Sequence, residues 1–192
     1  MLNITLNFIV SLFICVLVIA LCIPLSKRLG WLDTPDERKQ HIHPTPPVGG
    51  FGIFLGIMIP AVLFFGASQE LLGFLLGAII LVVTGAIDDR FHINWKIRIG
   101  IQIIAALILI FVAGIRAEHV GPLFGFGDIE LGWVSVPFTV FVTVGLINAL
   151  NMYDGIDGLV GTVCTAVVLM FICAAIYSGA YDVATGLFWL LG

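Results

Sequence analysis

The residues best suited to chemistry lie in a short polar stretch, Asn148–Val160, which separates two long apolar runs. Two Asn and two Asp occur in it, each pair spaced by three: Asn148 and Asn151, Asp154 and Asp157. On a helical turn this spacing places each pair on one face. Oxygen-bearing side chains beside glycines suit a hard divalent cation or a metal-bridged phosphate. Taken alone, however, such a stretch is more often an ordinary polar turn between helices.

A second acidic cluster, Asp88 and Asp89, directly follows another apolar run. Carboxylates near a helix C-terminus face the negative end of the helix dipole, which costs about 0.3–1 kcal/mol each. Adjacent acids also repel each other. A bound Mg²⁺ or Mn²⁺ would remove both penalties, and the alternative is that Arg90 and solvent suffice. Together with the Asn/Asp stretch, the acidic pair favours a metal and phosphate site.

A basic segment supplies the complementary charge. Arg38, Lys39 and His41 lie close together, followed by a proline-rich turn and the pair Gly49-Gly50. Arg binds phosphate oxygens in a bidentate manner and Lys acts as a point charge. The alternative is a positively charged flank that binds anionic lipid head groups.

The composition defines the class of protein in which these clusters lie. Of 192 residues, 60% are hydrophobic and only 10% are charged, whereas soluble domains have roughly a quarter charged residues. We therefore predict an all-α, polytopic transmembrane helix bundle that forms one integral membrane domain over residues 1–192. The partner expected from this class is the lipid bilayer, and no nucleic acid is expected.

The apolar runs predict about six complete spans and a truncated seventh that has begun by Val183. The six are Met1–Ser26, Val48–Ala67, Leu71–Ile87, Trp95–Ile115, Trp133–Tyr153 and Leu159–Tyr177. Alternating these spans puts seven of the eight Lys and Arg residues on one side, with only Arg116 on the other. By the positive-inside rule that side is the cytoplasm and the N-terminus is outside. All three polar clusters then emerge on the cytoplasmic face.

The motifs, in this order, resemble those of the polyprenyl-phosphate N-acetylhexosamine-1-phosphate transferases. They are the DxPDERKxHxxPxPxxGG segment (Asp33–Gly50), the Asp-Asp pair after the third span, and NALNMYDGIDGLVG (Asn148–Gly161). The basic segment resembles the bacterial undecaprenyl-phosphate N-acetylglucosaminyl-1-phosphate transferase branch more than the muramoyl-pentapeptide branch. The resemblance implies transfer of N-acetylglucosamine 1-phosphate from UDP-N-acetylglucosamine to undecaprenyl phosphate, with release of UMP.

The resemblance also implies a cofactor, a location and a pathway. Mg²⁺ or Mn²⁺ is the family's cofactor, and the product starts the synthesis of surface polysaccharides such as O-antigen. The enzyme would be a multi-pass protein of the bacterial inner membrane with a cytoplasmic active site, and a homodimer is the candidate oligomer. One substrate is a lipid and the other is cytosolic, so the chemistry must occur at the cytoplasmic interface. Cations are needed because two phosphorylated anions must meet.

Individual roles are carried over by position. Asp88 and Asp89 match the family's Asp-Asp pair, so that one of them is the base that deprotonates the lipid phosphate or helps to hold the metal. A double displacement with an Asp nucleophile is the alternative scheme. Asp154 and Asp157 match the DGxDG pair and are expected to bind nucleotide, with Asp154 and Asp88 as metal ligands.

The remaining expected ligands flank these acids. Asn148 and Asn151 accompany the DGxDG pair at the nucleotide site. Arg38, Lys39 and His41 match the family's basic segment and are expected to contact phosphates.

Family members continue beyond this length, with further spans, an F-x-G-D motif and a His-bearing loop. The chain is therefore expected to be an N-terminal fragment, incomplete at its C-terminus and inactive by itself. The competing functions are the muramoyl-pentapeptide transferase or another UDP-hexosamine-1-phosphate transferase, a cation transporter that uses the acids near the spans, and a structural membrane subunit.

Overall fold

The computed structural model describes residues 2–31, 46–66, 68–121, 127–154, 158–180, 183 and 187. Within these residues the regular structure is helical, apart from one isolated antiparallel bridge between His119 and Glu130. The α helices are α1 (Leu2–Arg28), α2 (Gly49–Phe65), α3 (Gln69–Phe91), α4 (Trp95–Phe111), α5 (Ser135–Tyr153) and α6 (Leu159–Tyr177). A short 3-10 helix, Gly132–Val134, leads into α5. The predicted all-α class is confirmed.

Four helices in the described part of the chain are long and apolar enough to cross a membrane. They lie at Phe8–Arg28, Gln69–Phe91, Gly132–Tyr153 and Leu159–Tyr177. α2 and α4 have 17 residues each, the lower end of the length that can span a bilayer. The polytopic membrane class is confirmed, while the number of spans and their orientation remain predictions.

The ends of α3 and α4 differ from the predicted boundaries, and the end of α3 matters for the acidic pair. α3 continues to Phe91, four residues beyond the predicted end at Ile87. The Asp-Asp pair therefore lies inside the last helical turn and not in a loop after it. α4 ends at Phe111, earlier than the predicted Ile115. In contrast, α6 has the predicted bounds.

The described residues divide into two compact units, one of residues 1–66 with 153–192 and the other of residues 67–152. In the first unit, α1 packs against α2 through small residues. A Cβ added to Gly56 would lie 2.9 Å from the Cβ of Cys15 and 3.1 Å from the backbone oxygen of Ser11. Glycine is therefore required for this close approach, as is common between membrane helices.

In the second unit, α3 packs against α4 and the turn that follows it. Gly73 of α3 lies against Ala113, just beyond α4, and Ala105 and Ala106 of α4 are buried. These small side chains let the two helix backbones approach closely.

The start of α5 is joined to the same unit by hydrogen bonds. The Ser135 hydroxyl donates to the Ala117 carbonyl at 2.6 Å, and the Thr139 hydroxyl accepts from the Ala117 amide at 2.9 Å. Both side chains are buried. Because a buried backbone amide and carbonyl need partners, these bonds fix the loop after α4 against α5.

Candidate functional site

Asp88 lies in the last turn of α3, and donors approach both of its carboxylate oxygens. Oδ1 accepts from the backbone amide of Ile93 at 2.8 Å, and Oδ2 accepts from Nη1 of Arg98 at 3.0 Å. The Asp88 and Arg98 side chains are 23% and 31% exposed. The guanidinium and the amide offset the unfavourable position of this carboxylate at the negative end of the helix dipole.

The connection between α3 and α4 is only three residues long, and its geometry brings Arg98 to Asp88. His92 adopts the left-handed conformation (φ 50°), and its amide donates to the Asp88 carbonyl at 2.9 Å. Asn94 then caps α4 by accepting from the amide of Lys96 at 3.0 Å. This tight turn places the first turn of α4 beside the last turn of α3.

Asp89 and Arg90 complete the polar end of α3, and both are exposed. The sequence alone offered Arg90 and solvent to offset the charge of the acidic pair. In the structure Arg98, ten residues after Asp88, forms an ion pair with it because the turn brings the two side chains close.

Asn148 is half-buried near the end of α5 and contacts α4. Its Nδ2 donates to Oε1 of Gln102 at 2.6 Å and to the Val144 carbonyl at 2.8 Å. Gln102 is only 4% exposed. A buried amide in an apolar helix is costly unless it is hydrogen-bonded, and the Asn148 side chain meets that need.

Arg98 and Gln102 are site residues that sequence reasoning did not identify. They are four residues apart in α4, so they lie on the same face of that helix. Arg98 contacts Asp88 on α3 and Gln102 contacts Asn148 on α5. The structure thus connects two of the predicted motifs, sixty residues apart, through one face of α4. The available signal was a charged and an amide side chain, at helical spacing, in a run that is otherwise apolar after Lys96.

The remaining residues of the Asn/Asp stretch differ in environment. Asn151 is exposed in the last turn of α5, and Asp154 is exposed in the turn just beyond it. Gly158, in the left-handed conformation, precedes α6. Asp157 lies outside the described residues, as do Arg38, Lys39 and His41 of the basic segment.

The side chains at these helix ends carry carboxylate and carboxamide oxygens, which are the ligands that Mg²⁺ and Mn²⁺ prefer. A carboxylate offers about four lone-pair positions, and the two hydrogen bonds to Asp88 occupy two of them. Asp88 thus keeps lone pairs of the type that a divalent cation binds, and the exposed Asp154 carboxylate is of the same ligand type. Among the described residues, no three His, Cys, Asp or Glu side chains form a metal-binding group.

The loop after α4 holds a separate set of charges. Arg116 pairs with Glu118 at 2.9 Å, and Nδ1 of His119 lies 3.0 Å from Oδ2 of Asp128. Arg116, Glu118, His119 and Glu130 also line an open cavity of about 220 Å³. These two pairs are exposed, and neither includes a residue of the motifs singled out above.

The described helices define a polytopic α-helical membrane protein, and oxygen-bearing side chains lie at the ends of several of them. Residues 71–192 match the family model described as glycosyl transferase family 4. The chain belongs to glycosyl transferase family 4, and the resemblance inferred from its motifs is confirmed.

Curated relatives carry a more specific name. The probable undecaprenyl-phosphate N-acetylglucosaminyl 1-phosphate transferase of Bacillus subtilis (strain 168) is 34% identical over 161 residues, 83% of this chain and 44% of that protein. The undecaprenyl-phosphate alpha-N-acetylglucosaminyl 1-phosphate transferase of Yersinia pestis is 38% identical over 137 residues, 70% of this chain and 37% of that protein. The protein of the same name from Salmonella typhi is 37% identical, with coverages of 70% and 36%. The chain thus spans less than half the length of these relatives.

Proposed function

We propose that the complete protein transfers N-acetylglucosamine 1-phosphate from UDP-N-acetylglucosamine to undecaprenyl phosphate and releases UMP. Relatives that are 34–38% identical carry the name of this activity. The observation that carries the proposal is the joining of the Asp88 and Asn148 motifs through one face of α4, at the ends of apolar helices. A lipid phosphate and a water-soluble sugar nucleotide can meet only at the membrane surface, where the ends of membrane-spanning helices lie.

The proposed reaction is a displacement at phosphorus. A carboxylate takes the proton of the lipid phosphate, and the resulting oxyanion attacks the phosphorus that bears the sugar. A new phosphorus–oxygen bond forms, the bond to UMP breaks, and UMP leaves with the electron pair. We assign the proton transfer to Asp89, which is exposed at the end of α3. Asp88 is the fixed neighbour whose oxygens are directed by Ile93 and Arg98.

We further propose a divalent cation, Mg²⁺ or Mn²⁺, with Asp88 and Asp154 among its ligands. When bound, it would offset the charge of the diphosphate and stabilise the departing UMP. Asn148, Asn151 and Asp157 would bind the nucleotide.

The basic segment and the cellular setting complete the proposal. Arg38, Lys39 and His41 would contact phosphate oxygens through their positive charge. The site would face the cytoplasm from the bacterial inner membrane, and the product would start a surface polysaccharide. The support for this siding is the distribution of Lys and Arg. The homodimer stays a prediction.

The test is an assay of the complete protein in membranes, with labelled UDP-N-acetylglucosamine, undecaprenyl phosphate and Mg²⁺. We expect labelled lipid product and an equal amount of UMP. Asp88→Asn, Asp89→Asn and Asp154→Asn should each reduce UMP release by at least about 100-fold while leaving membrane insertion intact. Near-normal turnover in all three variants would refute the site. Competition between UDP-N-acetylglucosamine and UDP-muramoyl-pentapeptide distinguishes this activity from that of the muramoyl-pentapeptide transferase branch. Cation flux in proteoliposomes that is lost in Asp154→Asn would instead favour a transporter.

A further inference from the structure

The polar face of α4 is a feature that the proposed chemistry does not yet use. Arg98 and Gln102 are one helical turn apart, about 6 Å along the axis. Each contacts one residue of the site, Asp88 on α3 or Asn148 on α5. Both contacts lie within one compact unit, residues 67–152.

The hydrogen bonds of Asn148 fix the direction of its carboxamide. An Asn side chain has two N–H donors on Nδ2 and one acceptor atom, Oδ1. Both donors are directed at protein acceptors, Oε1 of Gln102 at 2.6 Å and the Val144 carbonyl at 2.8 Å. With its two donors committed, Asn148 can offer a ligand only Oδ1, and in one orientation.

The carboxylate of Asp88 is fixed by the same principle. Its two oxygens accept from different elements, the amide of Ile93 in the connecting turn and the guanidinium of Arg98 in α4. The plane of the carboxylate is therefore set by α4 as well as by its own helix. Catalysis of displacement reactions depends on such fixed geometry, because a misplacement of about 1 Å can reduce the rate about 100-fold.

We propose that Arg98 and Gln102 are positioning residues for the transfer reaction. Arg98 orients the Asp88 carboxylate, and Gln102 orients the Asn148 carboxamide so that its Oδ1 faces the nucleotide or the cation. This inference rests on the proposed function. α4 thus orients one side chain in each of two motifs, which are contributed by different helices.

A purely structural role would have a different consequence. Hydrogen bonds between membrane helices also join helices together, and their loss then lowers stability without changing the chemical step. A positioning role instead lowers kcat while KM stays nearly constant, because an interaction needed in the transition state is lost. The two roles are therefore separable by kinetics together with thermal stability.

The experiment compares Arg98→Met and Gln102→Met with two matched controls in the complete protein. Arg116→Met removes a more exposed ion pair, with Glu118, and Gln69→Met removes an exposed amide that donates to Val112. We expect kcat for UMP release to fall about 10- to 100-fold in the first two variants. KM for UDP-N-acetylglucosamine should stay near the wild-type value, and both controls should keep the wild-type kcat. Arg98→Lys, which keeps the charge, should have a kcat between those of wild type and Arg98→Met.

Each outcome bears on the inference. Wild-type kcat in Arg98→Met and Gln102→Met overturns it, and so does a raised KM with unchanged kcat. If the Met variants do not fold, Gln102→Asn and Arg98→Lys decide, and wild-type kcat in both folded proteins overturns the positioning role. Failure of the proposed function looks different, because the wild-type protein itself would then release no UMP.

Discussion

The packing of α3 against the turn after α4 gives a prediction with its own internal control. Two of the three glycines of α3, Gly73 and Gly85, differ in their surroundings. A Cβ on Gly73 would lie 2.5 Å from the backbone nitrogen of Ala113 and 2.7 Å from its Cβ, whereas a Cβ on Gly85 would meet nothing within 4 Å. Non-bonded carbon atoms normally approach to about 3.5–4.0 Å. The backbone of Ala113 would therefore have to move to accept Ala at position 73.

The magnitude follows from two opposing contributions. Replacing a helical Gly by Ala stabilises a helix by about 1 kcal/mol, and this gain is common to both positions. Overpacking costs about 1–3 kcal/mol and applies only to Gly73→Ala. We therefore expect Gly85→Ala to be about 1–3 kcal/mol more stable than Gly73→Ala, because the helix propensity cancels in the comparison.

The measurement is reversible unfolding of each purified variant in detergent micelles, by titration with a denaturing detergent and far-UV circular dichroism. The free energy of unfolding of the two variants is compared directly. Equal stability would refute the close approach of α3 to Ala113, and with it the tight packing of α3 against the C-terminal end of α4.

Two further predictions concern the metal and the loop after α4. Chelation with EDTA should abolish UMP release by the complete protein and added Mg²⁺ should restore it; activity that persists in EDTA would exclude the proposed cation. Thr139→Val should lower the free energy of unfolding by about 1–3 kcal/mol, because it leaves the amide of Ala117 without its buried acceptor. The matched change Thr162→Val, at an exposed position of α6, removes only a hydroxyl that donates to the Gly158 carbonyl. Similar stability losses in the two Val variants would contradict the buried bond.

Much of the architecture could be predicted because a bilayer leaves the backbone few options. Every amide in the hydrocarbon region must be paired within its own segment, so long apolar runs become helices. This is why α6 begins at Leu159 and ends at Tyr177 as predicted. The C-terminal end of α3 was less predictable, because two adjacent acids after an apolar run suggest that the helix has ended. In the structure Arg98 pairs with Asp88, and the helix continues through both acids.

The sequence indicated candidate site residues by their type, but it did not indicate the contacts that they make. The motif spacing identified Asp88 and Asn148, and it did not identify Arg98 or Gln102. Arg98 reads as a flanking charge that reaches the membrane interface, since its partner lies ten residues earlier and across a turn. Gln102 reads as an isolated polar residue, since its partner lies 46 residues later.

The sequence by itself determined the membrane class and the family, and it indicated which oxygen-bearing side chains are candidates for a site, because composition, hydropathy and motif order can be read directly along the chain. Only the tertiary structure decided which of these residues touch. The left-handed turn at His92 brings α4 back along α3, and the helical repeat then places Arg98 and Gln102 on one face. Such contacts depend on the paths of several helices in space, and no single stretch of sequence contains that information.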